Sequence, residues 1–278
     1  MQAVFEELLS QPRHLLVLRL TLLLLLFYGS STVFLDLTLR VVCSLMLLSS
    51  TLTVSPVAWT IVCGLVWWTN ALHWLWIDNH QFLISYWCLA CALATASRSI
   101  DSVLAWNGQI LIGLTFLFAT IWKVIGGEYW DGSFFLYTLL TDSRIASLTS
   151  FVGGVTPDVL PQNRWLESAL QFYPDVDTSV TLGSNFRIEL FARVASYWTI
   201  LIEGSIAALF LMKANDWFVR VRDILLMVFL VTTYFVLPVL GFAYILIIMA
   251  LAQCSIDRPK TRIVYLSILG LLQFARIL

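Results

Sequence analysis

Residues 107–132 read NGQILIGLTFLFATIWKVIGGEYWDG, an apolar run long enough to cross a membrane as a helix, broken at Gly126-Gly127 and followed by Tyr129 and Trp130. Near the end of the run stands one amine, Lys123. An ammonium group at membrane depth costs roughly 2.5 kcal/mol or more on insertion scales, so it either reaches the interface or lines a polar cavity. The first choice makes Lys123 an anchor; the second makes it a candidate chemical group.

The rest of the chain points to the same setting. Of its 278 residues 60% are hydrophobic and only 12% charged, with a mean hydropathy of +0.87, whereas a soluble domain is about a quarter charged. The apolar runs are long and lack the two-residue alternation of barrel strands. The expected fold is therefore all-α, a polytopic transmembrane helical bundle of about eight or nine spans in a lipid bilayer. A net charge of -1, with three scattered lysines (Lys123, Lys213 and Lys260), argues against a nucleic-acid partner and against a polybasic lipid-binding tail.

Taken in order, residues 1–14 read as an interfacial amphipathic lead-in, with Phe5, Leu8 and Leu9 toward lipid. Residues 15–278 read as one membrane domain. Its first span, residues 15–35, resembles a signal sequence in length but no small-residue cleavage site follows it. Further spans are expected at residues 38–54, 56–76, 80–96 and 107–123, with Pro56 suited to a first helical turn. Residues 126–188 form a long polar loop, with DGS, VGG, TPD and YPD turn signals and the acidic residues Asp142, Asp158, Glu167, Asp175 and Asp177; its first part, residues 129–140, is apolar enough for an interfacial or re-entrant helix. Residues 189–212 form the next span. Residues 224–253, interrupted by Pro238 and Gly241, suggest two short spans, and residues 263–278 a last one.

Arg13, Arg98, the Lys213-Arg220-Arg222 hinge and the DRPKTR hinge at 257–262 all fall on one side of this scheme. By the positive-inside tendency that side and the N-terminus are cytoplasmic, leaving the long loop and the C-terminus outside. Trp67, Trp68, Trp74, Trp76, Trp122, Tyr129 and Trp130 fit an outer aromatic belt.

Ionisable groups within apolar runs are few: Arg19, Lys123 and Glu203, with His73, Asp78, His80 and Arg193 toward the outer ends. Arg19 and Glu203 suggest a polar pair tying helices together. Lys123 either snorkels or is desolvated enough to act as a base. Asp78 or Asn79 either caps the helix that follows or, with His80, offers donors to a ligand. No zinc spacing, phosphate loop or nucleophile triad is present, so no metal is expected. The five cysteines, Cys43, Cys63, Cys88, Cys91 and Cys254, lie in or beside apolar runs and read as small buried hydrophobes.

Together several stretches resemble one family, the HTTM domain, the transmembrane domain of vitamin K-dependent γ-glutamyl carboxylase and its bacterial relatives. The similar segments are LLVLRLTLLLLLF with Arg19, DNHQFLISYWCL, the opening stretch through Asp131-Gly132, and ILIEG with Glu203, in family order over residues 12–255. The resemblance implies a base at Lys123 that deprotonates reduced vitamin K or a menaquinol-type quinol, with Asn79, His80, Trp122, Tyr129 and Trp130 about the cofactor. It also implies a peptide or membrane-protein partner. The sequence departs from the carboxylase pattern where residues 94–101 and 232–242 lack histidine and where Trp122, not a second lysine, precedes Lys123. Three functions stay open: a quinol-dependent, carboxylase-like or peptide-modifying enzyme; a non-catalytic membrane subunit or peptide-maturation partner, like the sporulation-delaying-toxin maturation proteins that share this domain; and a small-solute transporter.

Overall fold

The computed structural model describes residues 11–27, 33–156, 158–172, 181–212, 215–234, 239–255 and 257–275, the side chains of 274 and 275 excepted. The expected roles of Phe5, Leu8, Leu9, Asp175, Asp177, Lys213 and Pro238 lie outside the described residues. Within them every regular element is helical. In chain order these are α1 (Arg13–Phe27), α2 (Val33–Leu48), α3 (Ser50–Thr53), α4 (Pro56–Leu72), α5 (Asn79–Ala96), α6 (Ile100–Gly126), α7 (Ser133–Thr141), α8 (Ala146–Gly153), α9 (Val159–Phe172), α10 (Phe186–Leu211), α11 (Asp216–Tyr234), α12 (Leu240–Gln253) and α13 (Pro259–Ala275); a 3-10 turn, Ser143–Ile145, precedes α8.

Local chemistry explains the boundaries. Ser55 caps α4 by accepting from the Ala58 amide at 3.4 Å, and Pro56 occupies the first turn, where its missing N–H is not needed. Asn185 caps α10 through the Ile188 amide at 3.1 Å. The helix α6 stops at Gly127, whose φ of +79° lies in the left-handed region that favours glycine.

Several expected boundaries are corrected. Phe34 and Leu35 belong to α2, not to the first span. The helix in the stretch expected as a second span, α2, ends at Leu48, with a separate turn of helix, Ser50–Thr53, after it. The helix α4 ends at Leu72, short of the expected residue 76, so Trp74 and Trp76 lie in the turns beyond it. Gly241 does not break a helix but sits in the first turn of α12. Asp78 stands at the N-cap of α5 without a side-chain capping bond.

Twelve of the fourteen residues of α12 are buried, which makes it the axial helix, packed on α1, α5, α6, α11 and α13. A helix apolar on every side needs such a position. By contrast, α6 buries one narrow stripe, Leu104, Gly108, Ile112, Gly113 and Phe116, and exposes Trp106, Phe118, Ile121, Trp122 and Ile125. The helices α6 and α10 are long and apolar enough to cross a membrane.

Where α6 meets its neighbours the stripe is small. A Cβ on Gly108 would lie 2.7 Å from the Met249 carbonyl oxygen of α12, and one on Gly113 would lie 2.7 Å from the Leu211 side chain of α10. Close backbone approach at small residues is the usual basis of helix association in lipid, where burial alone supplies no driving force.

The stretch expected as a long polar loop is folded. Leu139, Leu140, Ile145, Val155 and Leu160 form a second small core against Ile188 and Ala192 at the start of α10. Asn163 exchanges two hydrogen bonds with Gly183, at 2.8 and 3.1 Å, and Asn185 donates to the Gly153 carbonyl at 2.8 Å, closing the cap onto α10.

Candidate functional site

The antiparallel pair α6 and α10 sets the register of the site. Gln109 donates to the Phe210 carbonyl at 2.9 Å, Gly204 faces Thr120, and Gly132 faces Arg193. This register brings Lys123 opposite Glu203. The amine Nζ donates to Glu203 Oε2 at 2.5 Å, with side chains 13% and 7% exposed. Lys123 is therefore neither spread toward water nor alone in an apolar hollow. It carries an internal countercharge.

Aromatic rings close the same corner. Lys123 Nζ lies 5.3 Å from the Tyr129 ring centre, a cation–π contact worth about 0.5–2 kcal/mol. Tyr129 stacks on Phe134 at 4.6 Å and meets Phe135 edge-on at 5.8 Å. Trp130 is fixed by two bonds: its indole donates to the Val124 carbonyl, and its carbonyl accepts from the Tyr197 hydroxyl, both at 2.9 Å. The Asp131 carboxylate accepts from the Ser133 amide at 2.8 Å, and Gly132 takes φ +82°, turning the chain into α7.

The other expected site residues are distributed differently. Trp122 is 76% exposed. His80 is buried at the start of α5 with its Nδ1 3.9 Å from Asp78, and Asn79 is exposed. Among the described residues no hydrogen bond or ion pair joins either to Lys123. The Arg19–Glu203 pair is corrected: Arg19 donates to Gln11 Oε1 and Ser50 Oγ, both at 3.1 Å, while Glu203 belongs to Lys123. The reason is depth. Arg13 at the start of α1 is bonded to Asp101 at the start of α6, so Arg19 and Lys123 differ in level by roughly 24 Å at 1.5 Å per residue. An apolar cavity of about 180 Å³ lies between α1, α12 and α13, lined by Leu20, Leu24, Phe27, Ile248 and Leu269 among others, away from Lys123.

The opposite end of the bundle holds a polar network that was not expected from the sequence. Arg13 donates to Asp101 Oδ1 at 3.0 Å and to the Cys254 carbonyl at 2.9 Å, and His14 Nδ1 lies 2.8 Å from Asp101 Oδ2. Gln253 bridges α11, accepting from Arg222 and donating to Asp223 Oδ1 at 2.7 Å, where Tyr265 also donates at 3.2 Å. Arg258, just before α13, and Arg262 and Tyr265 within it follow at i, i+4 and i+7, a spacing that was available as a signal.

The chain matches no family model, no curated protein and no solved structure.

Proposed function

We propose that the chain is a multi-pass integral membrane protein of the HTTM type, with the Lys123–Glu203 pair as its proton-handling centre. Nine helices (α1, α2, α4, α5, α6, α10, α11, α12 and α13) serve as the spans, and α7 to α9 as an outer cap. In support, α6 and α10 expose large apolar side chains along their length, a surface suited to lipid and not to water. The short α12 is shielded from lipid by its neighbours, which removes the need for full spanning length. The start of α1, the α5–α6 turn and the α12–α13 hinge share one end through Arg13, Asp101 and Cys254. That end carries the basic hinges and is assigned to the cytoplasm.

The single observation that carries the functional reading is the buried 2.5 Å contact between an amine and a carboxylate on the two longest helices. Whether the pair starts as two ions or as a neutral amine beside a carboxylic acid, uptake of one proton leaves it as ammonium and carboxylic acid. The pair therefore acts as a base of one proton equivalent and offers a cation to the anion it creates. A menaquinol-type quinol would supply that proton. The aromatic group Tyr129, Phe134 and Phe135 next to the amine is suited to a planar apolar ring, which is the fit the family resemblance requires.

A second reading, a structural tie in a non-catalytic membrane subunit or peptide-maturation partner, is favoured by the same pairing, because the amine is already satisfied by Glu203 and Tyr129. Quinone extraction from the purified protein, followed by titration with menaquinone monitored by tryptophan fluorescence, separates the two. Binding that is lost in Lys123→Ala and Glu203→Gln supports the centre. Absence of both extracted quinone and binding removes the quinol chemistry and leaves the tie.

A further inference from the structure

Arg262 is 3% exposed, and among the described residues neither its Nε nor its Nη2 has a hydrogen-bond partner. The buried Arg222 Nε and Arg258 Nη1 also lack one. The three lie in one region: Arg222 on α11 is adjacent to Asp223, Arg258 immediately precedes α13 with its Nη1 3.9 Å from Asp223, Arg262 follows one turn later within α13, and Arg258 and Arg262 both act electrostatically on Cys254 at the end of α12. A buried cation without a countercharge is strongly unfavourable.

The nearby carboxylates supply only part of that countercharge. Asp223 is engaged by Gln253 and Tyr265, with Arg258 Nη1 3.9 Å away. Asp101 is held by Arg13 and His14, Asp257 by Ser255, and the exposed Asp216 stands 3.6 Å from Arg258. Three guanidinium groups thus face one buried carboxylate that is already in use.

From this we infer that Arg222, Arg258 and Arg262 form a binding site for a phosphate group, either inorganic phosphate or the headgroup of an anionic phospholipid. Guanidinium forks with spare N–H donors match a tetrahedral oxyanion, which offers more acceptor oxygens than one carboxylate. Arg258, 20% exposed, marks the way in. Basic pockets between spans at the cytoplasmic face take lipid phosphates by this chemistry. The site is at the far end of the bundle from Lys123 and does not depend on the role given to that residue.

The test uses the full chain, delipidated in neutral detergent. Its thermal midpoint is followed with inorganic phosphate, and separately after transfer to phosphatidylcholine vesicles with or without phosphatidylglycerol. A rise with inorganic phosphate identifies a soluble ligand; a rise only with phosphatidylglycerol identifies a lipid headgroup. In either arm Arg262→Gln and Arg222→Gln weaken the apparent affinity about tenfold or more, while Arg220→Gln, at an exposed position, leaves it unchanged. Arg262→Lys keeps the charge but loses the fork and falls between. Native mass spectrometry of the unaltered chain, looking for retained phosphate or phospholipid, stands even if a variant fails to fold. No stabilisation by either probe, or wild-type affinity in Arg262→Gln, overturns the site.

Discussion

Removing one member of the Lys123–Glu203 pair should destabilise the bundle far more than removing both. At 2.5 Å the two charges attract by about 7 kcal/mol at an effective dielectric of about 20. Taking each ion out of water costs several kcal/mol, so the net value of the intact pair is small. Lys123→Met leaves the Glu203 carboxylate, 7% exposed, without its countercharge; such losses cost about 3–5 kcal/mol. At roughly 2–4 °C per kcal/mol for chains of comparable size, the thermal midpoint falls by at least roughly 6 °C. Glu203→Leu does the same from the other side. The double variant Lys123→Met/Glu203→Leu has no charge to desolvate and should recover most of the loss. The assay is thermal unfolding in one detergent, read as a double-mutant cycle. If each single variant loses less than about 1 kcal/mol, the pair behaves like an exposed ion pair and its burial is wrong. If the double variant loses the sum of the two, the residues act independently and the coupling is refuted.

Three further outcomes follow from particular contacts. Gly108→Ala places a Cβ 2.7 Å from the backbone oxygen of Met249 and should cost about 1–3 kcal/mol, whereas Gly64→Ala, with nothing within 4 Å, should gain up to about 1 kcal/mol from helix propensity; the two midpoints test the α6–α12 contact. A cysteine introduced at Ser143 should react with a membrane-impermeant maleimide in intact cells and one at Lys260 only after permeabilisation, against a background of five native cysteines that are all buried; the same behaviour at both refutes the span assignment. The hydrogen bond from Arg144 holds the Asp142 carboxyl below the usual range, so its contribution is present above about pH 4 and is lost as the pH falls through the lowered value. Protection of α7 and α8 against hydrogen exchange, taken relative to the unfolded chain at the same pH, should therefore fall at low pH, and Asp142→Asn should remove that fall.

Helix positions were legible because the apolar runs are long and their breaks are chemically plain, as at Gly127 and Ser55-Pro56. The pairing of side chains across helices was not. Lys123 and Glu203 are 80 positions apart, and their meeting depends on the α6–α10 register set by Gly113 against Leu211 and Thr120 against Gly204. Hydropathy carries no information on register. Arg19 was matched to Glu203 on the ground that both are charges in apolar runs, a criterion blind to depth. A helix was legible at residues 129–140, but the rest of the cap was read as a loop because Ile145, Val155 and Leu160 are spread among polar residues and acquire a common core only when α7 and the start of α10 join them. In the Arg222–Gln253–Asp223 network the basic hinge was read for its charge alone, and Gln253, at the end of an apolar helix, carried no periodic signal.

The two polar ties on α6 also bear on why its amine sits where it does. Asp101 and Lys123 are 22 positions apart, roughly 33 Å along the helix, close to the thickness of a bilayer's hydrocarbon core. A lysine at that boundary ordinarily extends along the helix toward the headgroups. Here its Nζ crosses to a neighbouring helix, to a carboxylate more deeply buried than itself. Solvation alone does not favour that conformation, since water and headgroups lie in the other direction. Glu203 does, because without the amine its charge would lie unpaired within the bundle. The acid therefore fixes the base, holding its amine against α10 and away from the interface.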